Sequence, residues 1–233
     1  TNVIIAGTIG SIIIPILVGS RKENGKESFL KLYSSILNIS IILLAIISFF
    51  IVIFANQIFP FFLQTVSHVA PADYPNPEKL DLIINMMRVL LIPQIILGIS
   101  TFISSGLNIY NRFFLPQLAP LFFNVGRIFS IIILLPLMGG SPWAIVIGIL
   151  IGSILHLLIQ IPLARSVGIK YSFTIDLKDK YFKEMVKIGL PRMLSLAFEN
   201  LALTVIDGIS FTIRGGIAAY NFANQISLFI PQI

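Results

Sequence analysis

The chain has 233 residues, 56% of them hydrophobic and 11% charged, with a net charge of +6 and a mean hydropathy of +0.95. Soluble domains carry about 25% charged residues, and a water-soluble globule cannot hide this much apolar surface, so the lipid bilayer is the solvent the composition points to. The lack of cysteine excludes disulfides, thiolate metal sites and cysteine nucleophiles.

Seven apolar segments are predicted in chain order, at 1–18, 32–55, 82–106, 116–138, 143–164, 186–208 and 215–233. The opening residues, "TNVIIAGTIGSIIIPIL", lack the basic flank of a signal peptide. They read as a helix cut at its start, and the last segment reads as a span cut short. The expectation is therefore one transmembrane helical domain over 1–233, truncated at both ends. Backbone groups in hydrocarbon must be paired within their own segment, which predicts helices. Strands of an outer-membrane barrel are about 10 residues long and alternate in polarity, unlike these runs.

Basic residues divide by side if every segment crosses. The stretches 19–31, 107–115 and 165–187 carry Arg21, Lys22, Lys26, Lys31, Arg112, Arg165, Lys170, Lys178, Lys180, Lys183 and Lys187. The opposite side carries Lys79 and Arg214. This asymmetry places the three basic stretches in the cytoplasm and explains the positive charge better than nucleic-acid binding does. The stretch "LQTVSHVAPADYPNPEKLD" on the other side carries Pro71, Pro75 and Pro77 and is expected to be irregular. "KYSFTIDLKDKYFKEMVK" mixes aromatic residues with charges, as an interfacial linker or a partner-docking element would.

Ionisable residues inside spans are costly and face a bundle interior or a wet cavity. Here they are Arg88, Arg127, His156, Arg192, Glu199 and Asp207, accompanied by Asn85, Asn124, Gln160 and Asn200. Arg88 lies near the outer end of its span, where it can snorkel, form a structural pair or meet a substrate. Arg127 follows Asn124 by three residues, on one helix face. Counted from Pro116 it lies about 16 Å deep, which requires either an interior cavity or a buried acidic partner. His156 and Gln160 share a face, where interhelical hydrogen bonding is the simplest role. Gly148 and Gly152 form a small-xxx-small pair, a sign of close helix packing. Arg192, Ser195, Glu199 and Asp207 fall within roughly a third of a helix circumference. That stripe lines either a buried charge network or a solvated transport cavity. Pro191 is expected to loosen the same helix.

No phosphate loop, nucleophile elbow, catalytic carboxylate pair or metal-ligand spacing is present, and His68 and His156 lie far apart. The residues alone therefore describe an all-α, polytopic transmembrane bundle with an interior polar surface, suited to transport and not to enzyme chemistry, with no cofactor expected.

Five stretches, in order, carry a family resemblance: "GTIGSIIIPIL", "MMRVLLIPQIILG", "GLNIYNRFFLPQLAPLFFNV", "KIGLPRMLS" and "IDGISFTIRGGIAAYNFANQISLFIP". Their Gly, Arg, Asn, Pro and Asp positions resemble those of the MurJ/MviN family of lipid II flippases, within the MOP transporter superfamily. The resemblance implies one lobe of a MOP-type (MATE-like) fold, covering the family's second to eighth helices. It implies flipping of an undecaprenyl-pyrophosphate-linked peptidoglycan precursor across the bacterial cytoplasmic membrane, by alternating access around a cationic cavity. Partners so implied are the anionic lipid-linked substrate, membrane lipids and cell-wall synthesis proteins. Two family cations are replaced here, with Asn2 and Gln225 where Arg is frequent, and Ala6 stands at an acidic place. Arg127 and Arg192, with Asn124 and Arg88, are therefore the expected substrate-binding residues, and Glu199 and Asp207 the expected ion-coupling ones. Arginine suits a pyrophosphate because its planar fork pairs bidentately. Other readings are a polysaccharide-lipid flippase, a cation-coupled drug exporter or a non-transporting scaffold of cell-wall assembly.

Overall fold

A computed structural model describes the backbone of residues 2–65, 76–212 and 216–227, and side chains over 14–61 and 76–206 with a few beyond. The elements are α1 (Asn2–Thr65), α2 (Pro77–Ile109), α3 (Phe114–Phe129), a π-helical turn (Ser130–Leu134), α4 (Leu135–Leu137), α5 (Trp143–Leu158), α6 (Ile161–Ser166), α7 (Lys180–Thr212) and α8 (Gly216–Ser227). Among the described residues there is no strand, as the all-α reading requires.

Among the described residues, four stretches are long and apolar enough to cross a membrane: Ile14–Phe61, Pro77–Ile109, Phe114–Leu137 and Trp143–Ser166. Their outward faces are apolar, with Phe49, Phe54, Leu121, Ile132 and Ile154 all exposed. Water would not tolerate such a surface, whereas acyl chains would.

One feature differs from the expected segments. The stretch 19–31, expected as a loop, is helical on both sides of a break at Gly25 (φ 80°, ψ −178°). Those angles belong to glycine, so the helix turns there without needing a longer loop. α7 covers the expected sixth span and is helical across Pro191. The positions 66–75, 213–215 and 228–233 lie outside the described residues, as do the side chains of Asn2, Ala6, Asp207 and Gln225.

The chain divides into two compact units, the first formed by Thr1–Val52 with Asn85–Pro191 and the second by Ile53–Ile84 with Arg192–Ile233. The core of the first unit gathers Leu17, Phe29, Tyr33, Ile36, Phe102, Tyr181 and Phe182. Tyr33 is buried and donates its hydroxyl to the Phe102 carbonyl at 3.2 Å. Its ring enters a space on α2 that only Gly106 leaves open, since a Cβ there would sit 2.8 Å from Tyr33 Cε2. Arg21 stacks its guanidinium 4.5 Å from the Tyr110 ring, which brings the basic stretch 19–31 to the same end of the unit as the α2–α3 turn. Asn111 takes a positive φ of 57° in that turn, a conformation asparagine accepts more readily than most residues.

α3 and α5 meet backbone to backbone. Gly126 lies against Gly152, and Gly148 against Ser130. The Ser130 hydroxyl donates to the Ala144 carbonyl at 2.8 Å. Small residues let helices approach closely in lipid, where dispersion and hydrogen bonds drive association. The π turn follows, closed by the Leu135 N–H bonding to the Ser130 carbonyl. Pro136 lies just beyond; it has no N–H to offer the turn before it, and the wider bond compensates locally.

Candidate functional site

The contact with α5 fixes how α3 presents its other faces. At about 100° per residue, Pro116, Ala119, Gly126 and Ser130 form one sector, and all four are buried. The next sector holds Gln117, Pro120, Asn124 and Arg127, all exposed. Beyond it lie Leu121, Val125 and Ile128, also exposed. The uncovered surface of α3 is thus split into a polar strip and an apolar strip. The apolar strip suits acyl chains. The polar strip, with a cation near its middle depth, does not.

Arg127 stacks its guanidinium 5.8 Å from the ring of Phe123, one turn earlier. Among the described residues no carboxylate pairs with it. Of the two environments the sequence allowed, a buried acidic partner is therefore not found among them. Asn124 and Arg127 do share a face, as their spacing predicted.

Arg88 of α2 is anchored. Its Nη1 donates to Asn85 Oδ1 at 3.0 Å and its Nε to the Val52 carbonyl of α1 at 3.2 Å. The side chain thereby joins α1 to α2 within the first unit.

In the second unit, Arg192, Ser195 and Glu199 are exposed on one face of α7. Neither Arg192 nor Glu199 has an ion-pair partner among the described residues. Asn200 donates to the Leu196 carbonyl at 2.7 Å, and Thr204 to the Asn200 carbonyl at 2.7 Å. Both bonds run back along their own helix, so these side chains are satisfied without a neighbour. The structure thus groups Asn85 with Arg88, Asn124 with Arg127, and Arg192 with Glu199. Asp207, the remaining expected coupling residue, has its side chain outside the described residues.

His156 and Gln160 make the interhelical bonds their spacing suggested. Ser100 of α2 places its hydroxyl 2.7 Å from His156 Nδ1. Gln160 donates its amide to the Ser100 hydroxyl at 2.8 Å and accepts from Ser104 at 2.6 Å. Gln160 and Ser100 are fully buried. The serines were not singled out by sequence; their i,i+4 repeat in an apolar run was the signal available. This cluster is a clasp between α2 and the α5–α6 region, in which the Ser100 and Ser104 hydroxyls and both ends of the Gln160 amide are partnered. Among the described residues no group of three His, Asp or Glu side chains is placed to hold a metal ion.

The exposed side chains offer charge and hydrogen bonds: a guanidinium forms charge-assisted hydrogen bonds with anions.

Comparison with known proteins agrees with this reading. The family model described as "Lipid II flippase MurJ" matches residues 2–233. The chain is 27% identical over 163 residues to "Probable lipid II flippase MurJ" of Buchnera aphidicola subsp. Acyrthosiphon pisum, covering 70% of this chain and 30% of the relative. It is 21% identical over 228 residues to "Lipid II flippase MurJ" of Burkholderia cenocepacia, covering 96% of this chain and 43% of the relative. It is 25% identical over 193 residues to "Probable lipid II flippase MurJ" of Borreliella burgdorferi, covering 82% and 35% respectively. The chain thus spans less than half the length of each of these relatives. With the family model matching from one end to the other, and a membrane bundle whose uncovered polar strip interrupts an apolar surface, the chain belongs to the MurJ lipid II flippase family.

Proposed function

We propose that the protein containing this chain flips lipid II, the undecaprenyl-pyrophosphate-linked peptidoglycan precursor, across the bacterial cytoplasmic membrane by alternating access. The observation that carries the reading is the polar strip of α3, where exposed Asn124 and Arg127 lie beside a lipid-suited apolar strip. A pyrophosphate headgroup cannot enter hydrocarbon unaided, because desolvating its charge is prohibitive. A wet path walled by cationic and amide groups removes that barrier.

In this proposal Arg127 and Arg192 are each phosphate-binding residues and Asn124 bonds the headgroup. Arg88, already anchored through Asn85 and Val52, adds fixed positive charge to the wall. Glu199 and Asp207 couple transport to an ion or proton, or orient the arginines. The seven expected segments all cross within one transmembrane domain, with 19–31, 107–115 and 165–187 on the cytoplasmic side. Partners are the anionic lipid-linked substrate, surrounding lipids and proteins of cell-wall synthesis.

The direct test is complementation of a bacterium depleted of its flippase. Full-length protein carrying Arg127→Ala or Arg192→Ala is expected to reach normal membrane levels yet fail to sustain growth. Normal growth with both variants would remove these arginines from the mechanism.

A further inference from the structure

The segment 169–176 has no regular secondary structure, yet it is held closely to α1. The Ser172 N–H donates to Ser34 Oγ at 3.1 Å and the Asp176 N–H to Ser35 Oγ at 2.8 Å. Asn38 Nδ2 donates to the Ser172 and Thr174 carbonyls at 3.1 and 2.9 Å. Asn38 Oδ1 accepts from the Tyr171 hydroxyl at 2.7 Å. Within the segment, the Thr174 N–H bonds to the Ser172 carbonyl at 2.9 Å. This explains why α1 carries Ser34, Ser35 and Asn38 at the start of an otherwise apolar run. They satisfy backbone groups of a segment that has no helix or strand ladder of its own.

The depth follows from α1 itself. Ser34, Ser35 and Asn38 lie within about 10 Å along the helix from Lys31. Lys31 is exposed and belongs to the basic end of the unit. An element docked on those side chains lies at the boundary between headgroups and acyl chains, where interfacial elements reside. The outward face of the segment fits that level. Tyr171, Phe173, Ile175 and Leu177 are 59%, 78%, 46% and 57% exposed. Lys170, Lys178 and Lys180 flank them and are exposed too. Phe113 and Phe114, beside Arg112 in the α2–α3 turn, are exposed at the same end. Asp176 and Asp179 in the same stretch accept from the backbone N–H groups of Lys178, Tyr181 and Phe182, and the three lysines leave the row net positive, so it matches an anionic lipid surface, tails to the row and headgroups to the ammonium groups.

We propose that residues 170–180 form an interfacial anchor, clasped to α1 by Ser34, Ser35 and Asn38. It seats Tyr171, Phe173, Ile175 and Leu177 among the acyl chains, and its lysines bind anionic headgroups of the leaflet on the basic side. The inference rests on the membrane reading of the spans and is independent of the transported substrate.

The test is a fluorescence measurement on the full chain in nanodiscs. Phe173→Trp is the reporter, with Trp143→Phe and any other tryptophan replaced by phenylalanine. Quenching by a phospholipid carrying a spin label high on its acyl chain is compared with quenching by aqueous iodide. The lipid label is expected to quench at least about threefold more than iodide. Strong quenching by iodide would place the segment in water, and quenching by neither would show it covered by protein; either result overturns the proposal. Adding Lys170→Glu and Lys178→Glu is expected to lower lipid quenching in discs containing phosphatidylglycerol and leave it unchanged in phosphatidylcholine discs. Equal effects in both lipids would overturn the role assigned to the lysines.

Discussion

Gly126 of α3 lies so close to Gly152 of α5 that a Cβ on Gly126 would overlap the Gly152 backbone. Two helices that touch at this point cannot accept a larger residue without separating. Gly152→Leu is therefore expected to destabilise the first unit by about 2–3 kcal/mol, read as a lowered thermal midpoint in detergent. Gly189→Ala is the comparison, because nothing lies within 4 Å of the Cβ it adds. That change is expected to shift stability by less than about 1 kcal/mol, toward the more stable side.

The Ser100, Ser104, His156 and Gln160 clasp is expected to behave as a coupled unit. Ser100→Ala leaves the buried Gln160 amide without the hydroxyl it bonds at 2.8 Å, which costs about 1–2 kcal/mol. Gln160→Leu removes the demand as well as the donor. The double variant Ser100→Ala/Gln160→Leu is therefore expected to be less destabilised than the sum of the single ones, by about 0.5–1.5 kcal/mol. A thermodynamic cycle in mixed micelles measures the difference.

Gly25 is the joint that lets α1 turn inside the basic stretch. Its φ of 80° with ψ of −178° excludes side chains carrying a Cβ, at a cost of about 1–3 kcal/mol. Gly25→Val is expected to lower the thermal midpoint. It should also increase protease cleavage around Lys22 and Lys26, both exposed, because the strained joint opens more often.

The arginine and the ammonium of lysine differ in how they hold a phosphate. Arg127→Lys keeps the charge and loses the planar fork, whereas Arg127→Ala loses both. Removing a charge-assisted hydrogen bond costs about 1.5–3 kcal/mol. Binding of a lipid pyrophosphate to the full-length protein is expected to fall by about 10- to 100-fold for Arg127→Ala, with Arg127→Lys between that and the unaltered protein. Binding isotherms in nanodiscs provide the comparison.

Much of this architecture was written in composition and spacing. Apolar runs of about 20 residues stand out in a chain with so few charges, and the long apolar helical stretches Pro77–Ile109, Phe114–Leu137 and Trp143–Ser166 overlap three of them. The Gly148–Gly152 pair and the His156–Gln160 pair disclosed packing and bonding because helical periodicity alone puts each pair on one face. Gly25 was not legible as a joint inside a helix. Charged residues around it look the same whether they lie in a loop or on an exposed helix, and only φ decides. The clasp of Ser34, Ser35 and Asn38 on the segment 169–176 was equally hidden, since its partners lie more than 130 positions apart. The exposed polar strip of α3 was half visible. Spacing joined Asn124 to Arg127, but the buried Gly126 sector that fixes the direction of that face required the α3–α5 contact.

On the proposed mechanism the polar strip of α3 borders water while the neighbouring strip borders lipid. The chain has no cysteine of its own, so single introduced thiols report cleanly on each face once any elsewhere in the full-length protein are replaced. Asn124→Cys and Arg127→Cys are compared with Leu121→Cys and Val125→Cys in intact membranes, using a charged methanethiosulfonate reagent. The first two are expected to react at least about tenfold faster, because thiolate forms and the reagent travels only in water. Equal, slow reaction at all four positions would contradict the account, for it would place Asn124 and Arg127 against lipid or dry protein.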